Sequence, residues 1–151
     1  MPRWELTHDE KLTVGAFFLG EGTCWITKKG ELRAKIVLRD DDAEALHWIR
    51  EKLGGTIYNL SREHERKHHH AGAKDQVQVE WWRAHELRRI IKCVEASPLP
   101  AKKKTDIALF KKALGHPNKH YRRQIGLEMV RAREYEPSEP NEPKDRWPAL
   151  F

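Results

Sequence analysis

Two cysteines, Cys24 and Cys93, are all the thiol chemistry that 151 residues contain. Two lone thiols make no disulfide framework, and the absence of a C-x-x-C pair removes the usual zinc signature, so a reducing compartment fits. The N-terminal stretch MPRWELTHDE has no apolar signal core, and no apolar run approaches the length of a membrane span. The expectation is a soluble, intracellular chain without a membrane partner, in the cytoplasm of a microbe or phage-infected cell or in an organelle matrix. Acidic charge is in the minority, with 23 Asp+Glu against 29 Lys+Arg and a net charge of +6. That balance favours a polyanionic partner, of which nucleic acid is the commonest. The length suits one domain with a real core and is too short for two comfortable ones.

What is present has a readable order. Thr7 and Glu10 stand at capping-box spacing ahead of an apolar run, predicting a helix to about Gly20. Two alternating stretches, Thr23–Thr27 and Leu32–Arg39, flank the turn KKGE and predict a hairpin. One face of it carries Cys24, Ile26, Ala34, Ile36 and Leu38, and the other is half basic. Asp41 and Glu44 are placed to cap a second helix, with Leu46, Ile49 and Leu53 at helical spacing and Gly54-Gly55 to stop it. TIYNLSR and DQVQVEW predict a second hairpin with the basic, His-rich tip EHERKHHHAGAK between them. A helix through Leu87, Ile90, Ile91 and Val94 follows, then one over about Thr105–Leu114, then a basic helix from Tyr121 to Tyr135. The tail EPSEPNEPKDRW is expected to be irregular, with Trp147 and Phe151 able to dock. The fold class expected is therefore α+β, with helices on one side of an antiparallel sheet whose other face is open.

The stretch VGAFFLGEGT departs from an ordinary core helix in two ways. Ala16 and Gly20, with Gly15 beside them, are small residues at a spacing that lets two helix backbones approach closely. Glu21 places a carboxylate at a helix C-terminus, where the partial negative charge disfavours it. A bound divalent cation reverses that sign, because it prefers oxygen ligands. Two such helices packed through their small faces would present two carboxylates side by side.

These residues resemble the LAGLIDADG motif of homing endonucleases, with Val14 to Gly22 taking its nine positions in order. Val14 replaces the opening leucine, Gly15 and Ala16 are exchanged, and Leu19 replaces the first acid. Glu21 supplies the second acid, which binds metal in that family. IVLRDDDAEALHWIREKLGGTIY is similar to the family's second strand, helix and double-glycine turn, and SPLPAKKKTDIALFKKAL to its Pro-Leu…Lys-Lys segment. The resemblance covers about residues 7–114.

The resemblance implies an αββαββα domain over residues 1–114 with a concave antiparallel sheet saddle on double-stranded DNA. Residues 115–136 would add a C-terminal basic helix packed on the same domain, and 137–151 an irregular tail. One motif in the chain, with no internal repeat, implies a homodimer on a long, roughly palindromic target. The implied activity is metal-dependent hydrolysis of phosphodiester bonds, in a protein encoded by a mobile intron. Glu21 and the helix end at Gly20 would hold Mg2+, with Mn2+ or Ca2+ substituting in binding, and no organic cofactor is needed. Lys103 aligns nearest the family's lysine beside the scissile phosphate, with Lys102 the alternative. Arg39 and Asp40 are the candidates for a polar residue after the second strand. On the first hairpin Thr23, Trp25, Thr27, Lys29, Arg33, Lys35 and Arg39 would face DNA, with Lys28 on phosphate. On the second, Tyr58, Arg62, Gln76 and Gln78 would do so, and Arg66, Lys67 and His68–His70 at the tip would contact phosphate. Arg122, Arg123, Arg131 and Arg133 of the last helix would add phosphate contacts. Adjacent histidines on a loop rarely satisfy metal geometry, so the tip is not expected to bind zinc. Trp81 and Trp82 are expected to serve core and helix-entry packing, not base stacking. The alternative is a DNA- or RNA-binding protein of the same fold that does not cleave, such as a maturase or transcription regulator.

Overall fold

Thr7 begins the first helix as the spacing predicts. Its hydroxyl accepts from the Glu10 amide at 3.1 Å while its own amide donates to the Glu10 carboxylate at 3.0 Å. This reciprocal pair satisfies two of the orphan donors at a helix start. The computed structural model describes residues 5–69 and 71–134. The calls on Tyr135, the tail with Trp147 and Phe151, and His70 lie outside the described residues.

The described chain is α+β. Helix α1 (His8–Glu21) leads directly into strand β1 (Gly22–Ile26), which turns into β2 (Leu32–Arg39). A 3-10 turn over Asp40–Asp42 precedes α2 (Ala43–Leu53), then β3 (Thr56–Leu60), α3 (Glu63–His68) and β4 (Gln76–Trp81). Helices α4 (Ala84–Ala96), α5 (Lys103–Ala113) and α6 (Lys119–Glu134) complete it. The four strands form one antiparallel sheet in the order β1-β2-β4-β3. Val79 pairs with both Ile36 and Ile57 in register, and all belong to the face that packs on the helices.

The core lies between that sheet face and the helices, with Phe18, Ile36, Leu46, Leu53, Val79, Trp81, Leu87 and Phe110 nearly inaccessible. Each such side chain contributes about 1.5–3 kcal/mol by leaving water. Helix α6 joins this core through Ile125 and Met129. Its start is capped by Asn118, whose carbonyl oxygen accepts from the His120 and Tyr121 amides.

The small residues of α1 divide between two faces. Gly15 is buried against α4, and a Cβ there would intrude on the Cys93 carbonyl. Gly20 has open space beside it, and Ala16 is half-buried. Close helix approach is thus used inside the chain at Gly15, while Ala16 and Gly20 face outward.

Four boundaries differ from the sequence reading, each for a tertiary reason. Asp41 does not cap α2; its carboxylate takes the Arg39 guanidinium at 2.7 Å, and α2 starts without a side-chain cap. The second hairpin's tip is not all loop. It holds α3, tied down by Arg66, which donates to Asp75 at 2.8 Å and to the Ala73 carbonyl. Helix α5 begins two residues before Thr105, where Lys104 reaches the Ser97 carbonyl at 2.6 Å. Helix α6 begins at Lys119 because of the Asn118 cap. The Gly54-Gly55 stop does form: both residues have positive φ, 82° and 99°. The buried Glu86 carboxylate accepts from the Gly55 amide at 2.8 Å, so glycine there is required by conformation.

Two stability predictions follow from this packing. Gly15→Ala should destabilise the protomer by about 1–3 kcal/mol or more through overpacking, while Gly20→Ala should leave it as stable or slightly more so. Urea denaturation of the two variants checks the contrast. The second concerns Glu10, whose carboxyl is held at about 2, below the usual 4.5, first by Lys52 and then by the Thr7 amide. Its folded-state value is depressed, so its contribution is present above pH 4.5 and is lost as pH falls toward about 2. Glu10→Gln should therefore show a shallower loss of stability across that window than the wild type.

Candidate functional site

Glu21 closes α1 as its last residue, exposed to solvent. Gly22 follows in extended conformation, φ −84° and ψ 160°, with its amide bonded to the Phe18 carbonyl. The helix therefore ends abruptly and the chain passes at once into the sheet. No basic residue lies in the last turn of α1, so its terminal carbonyls lack the cation that usually sits there.

Tertiary structure supplies one. Lys103, the first residue of α5, donates its Nζ to the Gly20 carbonyl at 3.3 Å. The sequence-predicted pair Gly20 and Lys103 are thus brought together from 83 positions apart. Lys102 sits at the N-cap of α5, beside it and exposed. The two lysines border a cavity of about 530 Å³ with Gly22, Thr23, Cys24, Asp106 and Arg133. Cys24 is buried there and its thiol is pushed up to about 12, by desolvation first and then by Asp106. It is a neutral core side chain at any ordinary pH.

The donor set at the end of α1, a solvent-facing carboxylate and main-chain carbonyls, is all oxygen and suits a hard divalent cation. Among the described residues of one chain, no three His, Cys, Asp or Glu side chains converge. Among those residues Glu21 is thus not part of a three-ligand side-chain cluster.

The sheet's outward face assembles most of the other predicted residues. Thr23 pairs with Lys35, and Trp25 with Arg33. Lys35 pairs with Glu80, Val37 with Gln78, and Arg39 with Gln76. Gln78 pairs in turn with Tyr58, which is 41% exposed. Trp25, Arg33, Lys35, Gln76 and Gln78 are half-buried in this lattice, and Thr23 and Arg39 are exposed. Thr27, Lys28 and Lys29 belong to the turn beyond β1, where the Thr27 hydroxyl accepts from the Glu31 amide.

Several of these cations already have partners. Arg33 bridges Glu31 at 3.0 Å and Glu80 at 3.1 Å, Lys35 lies 5.3 Å over the Trp25 ring, and Arg39 holds Asp41. The exposed pairs with Glu31 and Asp41 are worth about 0–1 kcal/mol, whereas Glu80 is only 15% exposed. Asp40 falls in the 3-10 turn, its amide bonded to the Asp75 carbonyl. Arg62 lies outside the strand face: it stands at the start of α3, its amide bonded to Asp75.

Glu80 and Asp106 escaped the sequence reading, and Arg133 takes a part that it did not anticipate. Glu80 shares the face of Gln76 and Gln78, which the alternation of DQVQVEW already contains. Trp82 is not core: it is 38% exposed, with Arg33 and Arg83 about 6 Å over its ring. Trp81 alone is buried, its indole N–H bonded to the Gly54 carbonyl. Trp82 lies past the end of β4, at the entry to α4. Asp106 carried no sequence signal, and Arg133, expected on phosphate, lies 2.8 Å from its carboxylate. Two arginines of α6 are engaged within the protein: Arg133, and Arg122, which donates to the Gly30 and His116 carbonyls. Arg123 and Arg131 are exposed. Of the tip residues, Arg66 is engaged in the same way, Lys67 pairs with Glu63, and His68 and His69 are exposed. No described helix is long and apolar enough to cross a membrane.

No protein-family model and no curated protein matches the sequence. Solved structures do. The LAGLIDADG meganuclease I-AabMI bound to uncleaved DNA is 27% identical, covering 68% of this chain and 34% of that one, with a TM-score of 0.52. The archaeal intron-encoded homing endonuclease I-Vdi141I complexed with DNA is 18% identical, covering 90% and 88%, with a TM-score of 0.60. The homing endonuclease I-TnaI is 17% identical, covering 83% and 99%, with a TM-score of 0.52. This chain thus spans about a third of the first and nearly the full length of the last.

If the outward sheet face is a contact surface and not a structural one, its side chains carry little folding energy. Tyr58→Ala combined with Gln78→Ala should shift the urea unfolding free energy by less than about 1 kcal/mol. A larger loss would mean that this face is part of the folded body's own support.

Proposed function

The chain has the fold of the LAGLIDADG homing endonucleases, and from that premise we propose that it is a site-specific double-strand DNA endonuclease. The observation that carries the reading is the convergence of Glu21, at the end of α1, with Lys103 bonded to the preceding carbonyl. It acts as a homodimer on a long, pseudo-palindromic target and is encoded within a mobile intron. The outward sheet face lies in the major groove.

The dimer contact is the outer face of α1. Thr13, Ala16, Phe17 and Gly20 recur at i, i+3, i+4 and i+7, a single helical stripe. Beside it lies an apolar groove of about 250 Å³ lined by Thr13, Phe17, Ala45, Trp48 and Ile49. At Gly20 a side chain would meet open space, so a second α1 can approach closely there. Two copies then bring two Glu21 carboxylates to one axis.

The Glu21 carboxylates would hold a divalent metal, Mg2+ in the cell. The metal supplies activation of water and neutralisation of the leaving oxygen. Water adds to phosphorus, the bond to the leaving oxygen breaks, and a proton ends on that oxygen. Lys103 faces the phosphate and stabilises the charge that accumulates on its oxygens, a role in which a fixed cation costs no reorganisation. Arg33, Lys35 and Arg39 exchange their present partners for phosphate and base edges. Each strand is cut once.

Leu19, where the motif has its first acid, is buried and belongs to the core, a departure that also fits a non-cleaving DNA- or RNA-binding protein of the same fold. The discriminating substrate is the encoding locus without its insertion, incubated with and without magnesium. Glu21→Gln is expected to abolish cleavage, a loss of at least about 100-fold in rate, while DNA affinity persists. Near wild-type cutting by this variant removes Glu21 from catalysis. No cutting by the wild-type protein of a site it demonstrably binds leaves the binding reading in place.

A further inference from the structure

Lys103 is held from two sides. Its Nζ meets the Gly20 carbonyl, and its helix is pinned one turn later. Asp106, three residues on and so on the same face of α5, has a carboxylate only 14% exposed. Arg133 of α6 donates Nε to that carboxylate at 2.8 Å and Nη2 to the carbonyl of Cys24 in β1. One guanidinium thereby joins α5, α6 and the strand that continues from the Glu21 helix end. The linkage borders the same cavity as Lys102 and Lys103.

We propose that Arg133 is a positioning residue that fixes the first turn of α5, and with it Lys103, against the end of α1. The C-terminal helix is then a working part of the site and not an accessory phosphate contact. This rests on the reading of Lys103 as the cation beside the scissile phosphate. The planar fork is what qualifies arginine for the task. Its Nε and Nη2 point in fixed, divergent directions, so one side chain can hold a carboxylate and a carbonyl on two elements at once. Lysine at the same place keeps the charge but has one nitrogen on a flexible stem. Without the fork, the first turn of α5 loses its link to β1 and α6, while Lys104 on the Ser97 carbonyl and Lys103 on the Gly20 carbonyl remain.

The test compares wild type, Arg133→Ala, Arg133→Lys and Asp106→Asn in three measurements. These are DNA affinity, the single-turnover cleavage rate, and labelling of Lys103 by an amine-reactive reagent, read by mass spectrometry against the exposed Lys112. For Arg133→Ala the expected result is faster labelling of Lys103 and cleavage slowed about 10- to 100-fold, the usual cost of misplacing a reacting group. DNA affinity stays unchanged, and Arg133→Lys falls between the two. Asp106→Asn, nearly the same size as the native residue, repeats the effect in milder form and serves if Arg133→Ala does not fold. Wild-type labelling and cleavage in the folded variants overturn the proposal. So does a loss of affinity equal to the loss of rate, which would make Arg133 a phosphate contact. If the wild-type protein does not cut DNA, the endonuclease reading fails, and Lys103 labelling alone decides whether the clamp exists.

Discussion

The contact between Gly15 and the Cys93 carbonyl sets everything downstream of it. With no side chain at Gly15, α1 lies directly on the backbone of α4, and its rotation about its own axis is fixed. Val14, Phe18 and Leu19 then point into the core. Thr13, Ala16, Phe17 and Gly20 are left on the outside by the same rotation, because a helix has only one other face to offer. The end of the helix is aimed as well: Glu21 stands in solvent, and Gly22 starts the sheet. A larger residue at position 15 would move the acid, the open stripe and the first strand together.

Charge is organised in a way that the net value of +6 conceals. A substantial part of the basic complement acts as internal fastening. Arg66 ties down the α3 tip, Arg122 holds two carbonyls near the first hairpin turn, and Arg133 joins three elements. On the outward sheet face the cations are held loosely, by Glu31, Glu80, Asp41 and the Trp25 ring. Surface pairs cost little to break, so the same residues are ordered in the free protein and available to a polyanion. The first population holds main-chain carbonyls as well as carboxylates, whereas the second holds only carboxylates and a ring face.

Much of the fold was legible because local rules and the tertiary answer agree. The Thr7–Glu10 box, the alternation through Cys24, Ala34 and Ile36, and the double glycine after α2 each encode their structure within a few residues. The readings that missed did so where a distant partner intervened. Asp41 looks like a helix cap until Arg39 takes its carboxylate. Lys103 and Lys104 look like a loop until the Gly20 and Ser97 carbonyls anchor the start of α5. Trp82 reads with Trp81 as core or helix-entry packing, and it lies past the end of β4 at the entry to α4, exposed beside Arg33. Glu80 was available from that alternation and is the acidic member of an otherwise basic and amide face.

By itself the sequence determined the helices and strands apart from α3, the inward and outward faces of the paired strands, and the presence of a carboxylate where a helix end disfavours one. These are properties of spacing, and spacing is conserved when a chain folds. Only the tertiary structure decided which small residue of α1 is spent inside the protomer and which stays open. It alone placed Lys103 at the end of a helix far away in the chain, and Arg133 across Asp106 and Cys24. Those pairings depend on the relative placement of whole helices, which is set by the packing of the core and is written in no local pattern.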